Sequence, residues 1–144
     1  MNLASTIVTS TVNYLRGLSG LSGKTVLADF DGNISPTAVN APVIAVGVNS
    51  LKAGEILTAP NANGVPVSQS KREFSLKVRI RFYVPFAGGV LIAYQLADTA
   101  YTSLLGTGFQ YRVADAEMTA GKYDSQTDSI VVDTFFTVNS IIGI

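Results

Sequence analysis

The stretch "FSLKVRIRFYV", Phe74 to Val84, sets the apolar residues Phe74, Leu76, Val78, Ile80, Phe82 and Val84 in strict alternation with Ser75, Lys77, Arg79, Arg81 and Tyr83. A period of two specifies a β-strand with one buried and one solvated face. Extended from Glu73 to Val84, such a strand spans roughly 35–40 Å, long enough for part of it to project beyond its sheet. The even-numbered residues are expected in the core and Lys77, Arg79 and Arg81 outside, because a slip of one residue would bury three charges. Together with Lys71 and Arg72, this stretch carries five of the ten Lys and Arg residues of a chain whose net charge is zero. A face so basic must meet water, a nucleic-acid backbone or an acidic surface on a partner.

Working outward, Leu3, Ile7, Val8, Val12, Leu15 and Leu18 recur at helical spacing, which predicts an amphipathic helix over Leu3–Arg16 stopped by Gly17 and Gly20. "KTVLADF" (Lys24–Phe30) reads as a short strand running into "DGN", and "PVIAVGV" (Pro42–Val48) as a second strand buried on both faces. Between Asn49 and Ser70, the "PNANGVP" core reads as an exposed loop or hairpin tip. "PFAGG" ends the basic strand. A second helix follows over Val90–Leu105, with an apolar stripe of Ala93, Leu96, Ala97, Ala100, Leu104 and Leu105 and a stop at Gly106. The last third reads as two antiparallel strands joined by a turn near "KYDSQTD". The order α-β-β-β-α-β-β predicts an α+β fold, a single domain over residues 1–144 with a mixed or antiparallel sheet packed with two helices.

Composition narrows the function. At 144 residues the chain can bury a real core, yet only 14% of its residues are charged against a typical quarter. A largely neutral surface of Ser, Thr, Asn, Gly and Ala is easily desolvated and suits a subunit of an assembly. There is no Cys and no His, which excludes a disulfide framework, a zinc site built from those ligands and any nucleophile–His dyad. The expectation is a non-enzyme without cofactors. "MNLASTIVTSTVNYLRGLSG" lacks a basic start before its apolar residues, so no signal peptide is expected. No apolar run approaches the ~18 residues of a membrane span. Zero net charge opposes bulk nucleic-acid binding.

Each motif has a structural alternative. "DFDGN" (Asp29–Asn33) resembles the start of a calcium loop, but its twelfth position is Asn40 where a bidentate Glu is needed, so a turn after a strand is expected and no metal. Gly88-Gly89 before a helix has no phosphate-loop pattern around it and reads as an entry turn. Tyr123, Asp124 and Asp128 fit a polar turn. The remaining candidates are Lys71, Arg72, Lys77, Arg79 and Arg81, either as an interaction surface toward a subunit or DNA, or as a solvated edge guarded against aggregation. Six of the ten acids, Asp98, Asp115, Glu117, Asp124, Asp128 and Asp133, lie on the other side of the second helix's start. Oppositely charged regions can pair within a subunit or between neighbours in a ring.

The order of features also resembles a known group. An alternating strand ending in "FYVP" (Phe82–Pro85) precedes a helix "AYQLADTAYTSLL" (Ala93–Leu105), then "YD" (Tyr123-Asp124) before a polar turn, and a last strand "SIVVDTFFTV" (Ser129–Val138). Taken together, these resemble the tail terminator family of long-tailed bacteriophages, the small tail-completion proteins that join head to tail. The resemblance implies an α+β subunit of a hexameric ring at the head-proximal end of the tail. There it would end tube growth and join the tail to the capsid connector. The implied partners are further copies of the chain (a homo-oligomer), the tail tube protein, the head–tail connector proteins and genomic DNA passing through the ring, with no membrane. The implied location is the virion tail, after assembly in the host cytoplasm. Another phage neck or baseplate subunit of the same fold, or a nucleic-acid-binding module using residues 71–81, remain as alternatives, with a carboxylate-based enzyme a distant third.

Overall fold

A computed structural model describes residues 3–28 and 40–143. Helix α1 (Leu3–Arg16) leads through a short 3-10 turn to strand β1 (Thr25–Ala28), then to two long strands, β2 (Val43–Pro60) and β3 (Pro66–Pro85). Helix α2 (Val90–Leu105) follows, and the chain closes with β4 (Val113–Met118), β5 (Lys122–Asp124) and β6 (Ser129–Gly143). The fold is α+β, with one six-stranded mixed sheet in the order β1-β2-β3-β6-β4, and β5 pairing further along β6. β1 runs parallel to β2, and every other pair is antiparallel.

The alternation in Phe74–Val84 builds the centre of this sheet. Leu76, Val78, Ile80, Phe82 and Val84 are all within 1% of complete burial, as are Ile44 and Val46 on β2 and Val132 and Val138 on β6. Directly paired residues share a face of a sheet, and Ile44↔Phe82↔Val132 and Val48↔Val78↔Phe136 are such rows. Both helices lie on this face. α1 contributes Ile7, Val8, Val12 and Leu15, and α2 contributes Ala93, Leu96, Ala97, Ala100 and Leu104, to one continuous cluster with the sheet. Both helices keep the expected bounds. Thr11 is buried among the apolar residues of α1, its hydroxyl turned back on the Ile7 carbonyl at 2.7 Å. The 3-10 turn (Ser19–Leu21) approaches α2 closely at Gly20, where a Cβ would stand 2.7 Å from the Thr99 Cγ2.

The structure departs from the sequence expectation in several places. The "PNANGVP" stretch is the hairpin tip, one of its two readings, but the rest of 49–70 is no loop: β2 and β3 run through it as one hairpin, 18 and 20 residues long. Asn61 organises that tip, its side-chain oxygen accepting from the amides of Asn63 and Val65 at 2.9 and 3.0 Å, with Gly64 at φ 76°. Phe74, expected in the core, is only half-buried because it lies beyond the helices, and Leu105 is exposed where α2 ends. In the second strand, burial on both faces is confined to Ile44–Val46, and Val48 is already 44% exposed. Tyr83, expected outward, is buried. The last third holds three strands, the third being β5, which forms a tight hairpin with β6. The "DFDGN" stretch, with Asp29 and Asp31, lies outside the described residues.

A charged sheet face and a projecting arm as the candidate assembly surface

Position along β3 decides where each candidate cation points. From Lys71 to Pro85 the pairing with β6 is unbroken, so odd-numbered residues of β3 share the face away from the helices. Lys77, Arg79 and Arg81 therefore stand in one column, with Lys71 further along it. Arg72 does not join them: it sits on the helix side of the sheet, paired with Ile56 of β2. The structure thus groups four of the five candidates and sends the fifth to the opposite face.

Next to the cation column, β6 and β4 supply a column of acids. The pairings run Arg81↔Asp133, Arg79↔Phe135↔Glu117 and Lys77↔Thr137↔Asp115. In the first of these rows the charges meet inside the subunit. The Arg81 Nε and Nη2 donate to the two carboxylate oxygens of Asp133 at 2.8 and 3.2 Å. A two-point guanidinium–carboxylate contact is directional as well as attractive. The Asp133 hydrogen bond holds the Arg81 pKa above its ordinary value even though burial pulls it down, and Tyr83 adds a second hydrogen-bonding partner. Lys77 lies over the Phe135 ring, its Nζ 5.2 Å from the centroid, a cation–π contact worth about 0.5–1 kcal/mol at an exposed site. Of the basic face read from the sequence, Arg81 is held within the subunit, while Asp115 and Glu117 are exposed.

The second feature is the arm. Beyond Val48 on β2 and Phe74 on β3, the sheet outruns both helices, and nearly every residue from Val48 to Ser70 is exposed. The arm is not polar on its helix-side face. Val48, Leu51, Ala53 and Ile56 of β2 pair with Val78, Leu76, Phe74 and Arg72, so they continue the core's apolar stripe into solvent. Irregular pairing between Val48 and Ser50 and again between Ala53 and Ile56 keeps these residues on one side. Each bulge inserts an extra residue and resets the alternation. Val48, Leu51, Ile56, Val65, Val67 and, on β6, Ile141 are between 40% and 61% exposed.

A separate apolar knuckle lies at the other end of β3. Phe86, Val90, Leu91 and Ile92 are exposed there, with the Phe86 ring packed edge-on against Tyr123 at 5.2 Å between centroids. Chemistry is sparse by comparison. Among the described residues no group of three or more His, Cys, Asp or Glu side chains could hold a metal ion. Among the same residues no helix is long and apolar enough to cross a membrane.

Sequence reasoning missed the Arg81–Asp133 pair because its partners are 52 residues apart and meet only through strand register. The available signal was weak: Asp133 holds an outward position in the alternation of "SIVVDTFFTV". Set beside known proteins, the chain matches no family model and no curated protein.

Proposed function

We propose that the chain is a structural subunit that closes into a ring, acting at the head-proximal end of a phage tail, where it ends tube growth and joins the tail to the capsid connector. The observation that carries the ring is the arm: a hairpin whose helix-side face holds Val48, Leu51, Ala53, Ile56 and Phe74, extended past the subunit's own core. Among the described residues, β6 backs the hairpin only as far as Lys71; past it the arm is a two-stranded ribbon, marginally stable in water by itself, and a contiguous exposed apolar stripe marks an interaction surface. The low charge content of the chain supports the same reading. The position in a tail rests on the resemblance of element order to tail terminators, with the α+β architecture that such a subunit requires.

The nucleic-acid reading of residues 71–81 draws less support. Arg81 is neutralised by Asp133, Lys77 is engaged with Phe135, and Asp115 and Glu117 border the same face, which would repel phosphates. The functional test is electron microscopy of purified protein mixed with tubes polymerised from its own phage's tail tube protein. Density added at one end only, with tubes that no longer elongate, is the expected result. Binding along the tube wall, or at neither end, would refute the terminator role.

A further inference from the structure

The two edges of the sheet are different. One is β2, which among the described residues pairs with β1 only from Val43 to Val46, leaving the edge from Asn49 onward without a strand. The other is β4, the last strand on the opposite side. We propose that the arm edge of β2 in one copy adds to the β4 edge of the next, so that adjacent subunits share a continuous sheet. This rests on the ring reading above and names the surfaces that make the ring.

Four features of the two edges fit each other. The first is direction. Strands β2, β3, β6 and β4 alternate up and down across the sheet. A second copy placed alongside with its helices on the same side therefore brings its β2 antiparallel to β4, the pairing type that the sheet already uses in all but one of its pairs. The second is length. Between its bulges β2 has a regular run, Ser50–Ala53, and past its own bulge β4 has one of the same size, Asp115–Met118.

The third feature is the match of faces. On β2, Leu51 and Ala53 lie on the helix side, and Ser50 and Lys52 on the outer side. On β4, Ala116 and Met118 pack toward the core, and Asp115 and Glu117 lie outside. With the faces aligned and the two runs offset by one residue, one antiparallel register sets Leu51 beside Met118, Ala53 beside Ala116 and Lys52 directly opposite Glu117, and a shift of two residues sets Leu51 beside Ala116 and Lys52 directly opposite Asp115. The fourth is charge. Lys52, Asp115 and Glu117 are all exposed in the subunit, and opposite charges directly across a strand pair stabilise it while like charges oppose it. An arm–arm pairing would lose this complement, and a β4–β4 pairing would set carboxylates against one another. Two unlike edges make a head-to-tail contact, which closes into a ring when the rotation between copies permits. The Tyr101 hydroxyl already donates to the Ala116 carbonyl at 3.2 Å, and a carbonyl oxygen can accept a second bond.

The chain has no cysteine, so introduced thiols can react only with one another. Lys52→Cys combined with Glu117→Cys, and Lys52→Cys combined with Asp115→Cys, place thiols on residues expected directly across the new strand pair, where Cα separations of ~4.5–5.5 Å suit a disulfide. All three positions are exposed, so folding is not at stake. Mild oxidation should give a ladder of covalent multimers on a non-reducing gel for at least one of these pairs, and Lys52→Cys alone should give no dimer. Ready dimerisation of Lys52→Cys alone would mean that arms pair with arms and would overturn the proposal. So would the absence of a ladder from both pairs in a sample whose sedimentation shows a multimer, although the ring itself would then stand. A monomer in sedimentation with no ladder would bring down both. Lys52→Glu should shift the assembly toward monomer, and adding Glu117→Lys and Asp115→Lys should restore it; failure of that rescue would count against the pairing.

Discussion

Phe82 and Phe74 lie on the same strand and the same face, eight residues apart, and replacing each with Ala separates core from arm. Phe82 is fully buried in the row Ile44↔Phe82↔Val132 beneath the helices. Phe82→Ala removes the ring and leaves a cavity that the helix layer cannot collapse into, a change that costs ~3–5 kcal/mol. With about 2.1 cal/mol/K of unfolding entropy per residue, 144 residues give about 0.3 kcal/mol/K, so Tm should fall by roughly 10–17 °C. Phe74 is half-buried against Ala53 and Ser140 with no helix above it. Its loss creates no cavity, and Phe74→Ala should cost less than about 1.5 kcal/mol of transfer free energy. The assay is guanidinium denaturation followed by circular dichroism, at a concentration where sedimentation gives the mass of one subunit. Equal destabilisation by the two substitutions would refute the division into a covered core and an uncovered arm. A Phe74→Ala variant that keeps monomer stability but loses assembly would support it.

Other outcomes follow from the same geometry. A double-mutant cycle on Arg81→Ala and Asp133→Ala should give a coupling of about 1 kcal/mol, at the upper end for a partly exposed pair because the contact is two-pointed; a coupling near zero would mean that the pair is incidental. Arg81→Glu, which faces a carboxylate with a carboxylate, should destabilise the folded subunit more than Arg79→Glu does, as measured by thermal melting. Amides of Ala59–Ser70 should exchange rapidly in the free subunit and gain protection on assembly, and equal exchange in both states would remove the arm from the interface. The Tyr123 phenol donates to Asp128 at 2.8 Å, which raises its pKa above the ordinary value. A raised pKa means that this contact helps the fold while the phenol is neutral and is lost as pH climbs through the raised pKa. Asp128→Asn should bring the tyrosinate absorbance change of Tyr123 to lower pH.

The core was legible because Phe74–Val84 and the two helices obey their periods without interruption, and the burial of Leu76–Val84 on even positions needed no long-range information. The arm was not, for a specific reason. In "NSLKAGEILTA" (Asn49–Ala59) the apolar residues on one face are Leu51, Ala53 and Ile56, which do not alternate because bulges reset the phase between Val48 and Ser50 and again after Ala53. Pro60, Asn61, Asn63, Gly64 and Pro66 then lent their turn character to the whole segment, although they form only its tip. Tyr83 and Arg81 show the other limit. Their environment depends on Asp133, Val43 and Val131 arriving beside them, and register between distant strands is not written in either strand alone. Of the candidate surface, the cation column could be read from β3, and so could the departure of Arg72, which shares the even positions of Phe74 and Leu76; the acid column beside it could not.

The central claim, a closed ring, is tested most directly by native mass spectrometry of the wild-type protein across a range of concentrations. A ring requires one dominant species at a fixed multiple of 15.1 kDa, six-fold for the hexamer that the resemblance to tail terminators implies, with no series of higher oligomers because the last subunit closes on the first. A monomer at every concentration, or an open series of masses growing with concentration, would contradict it.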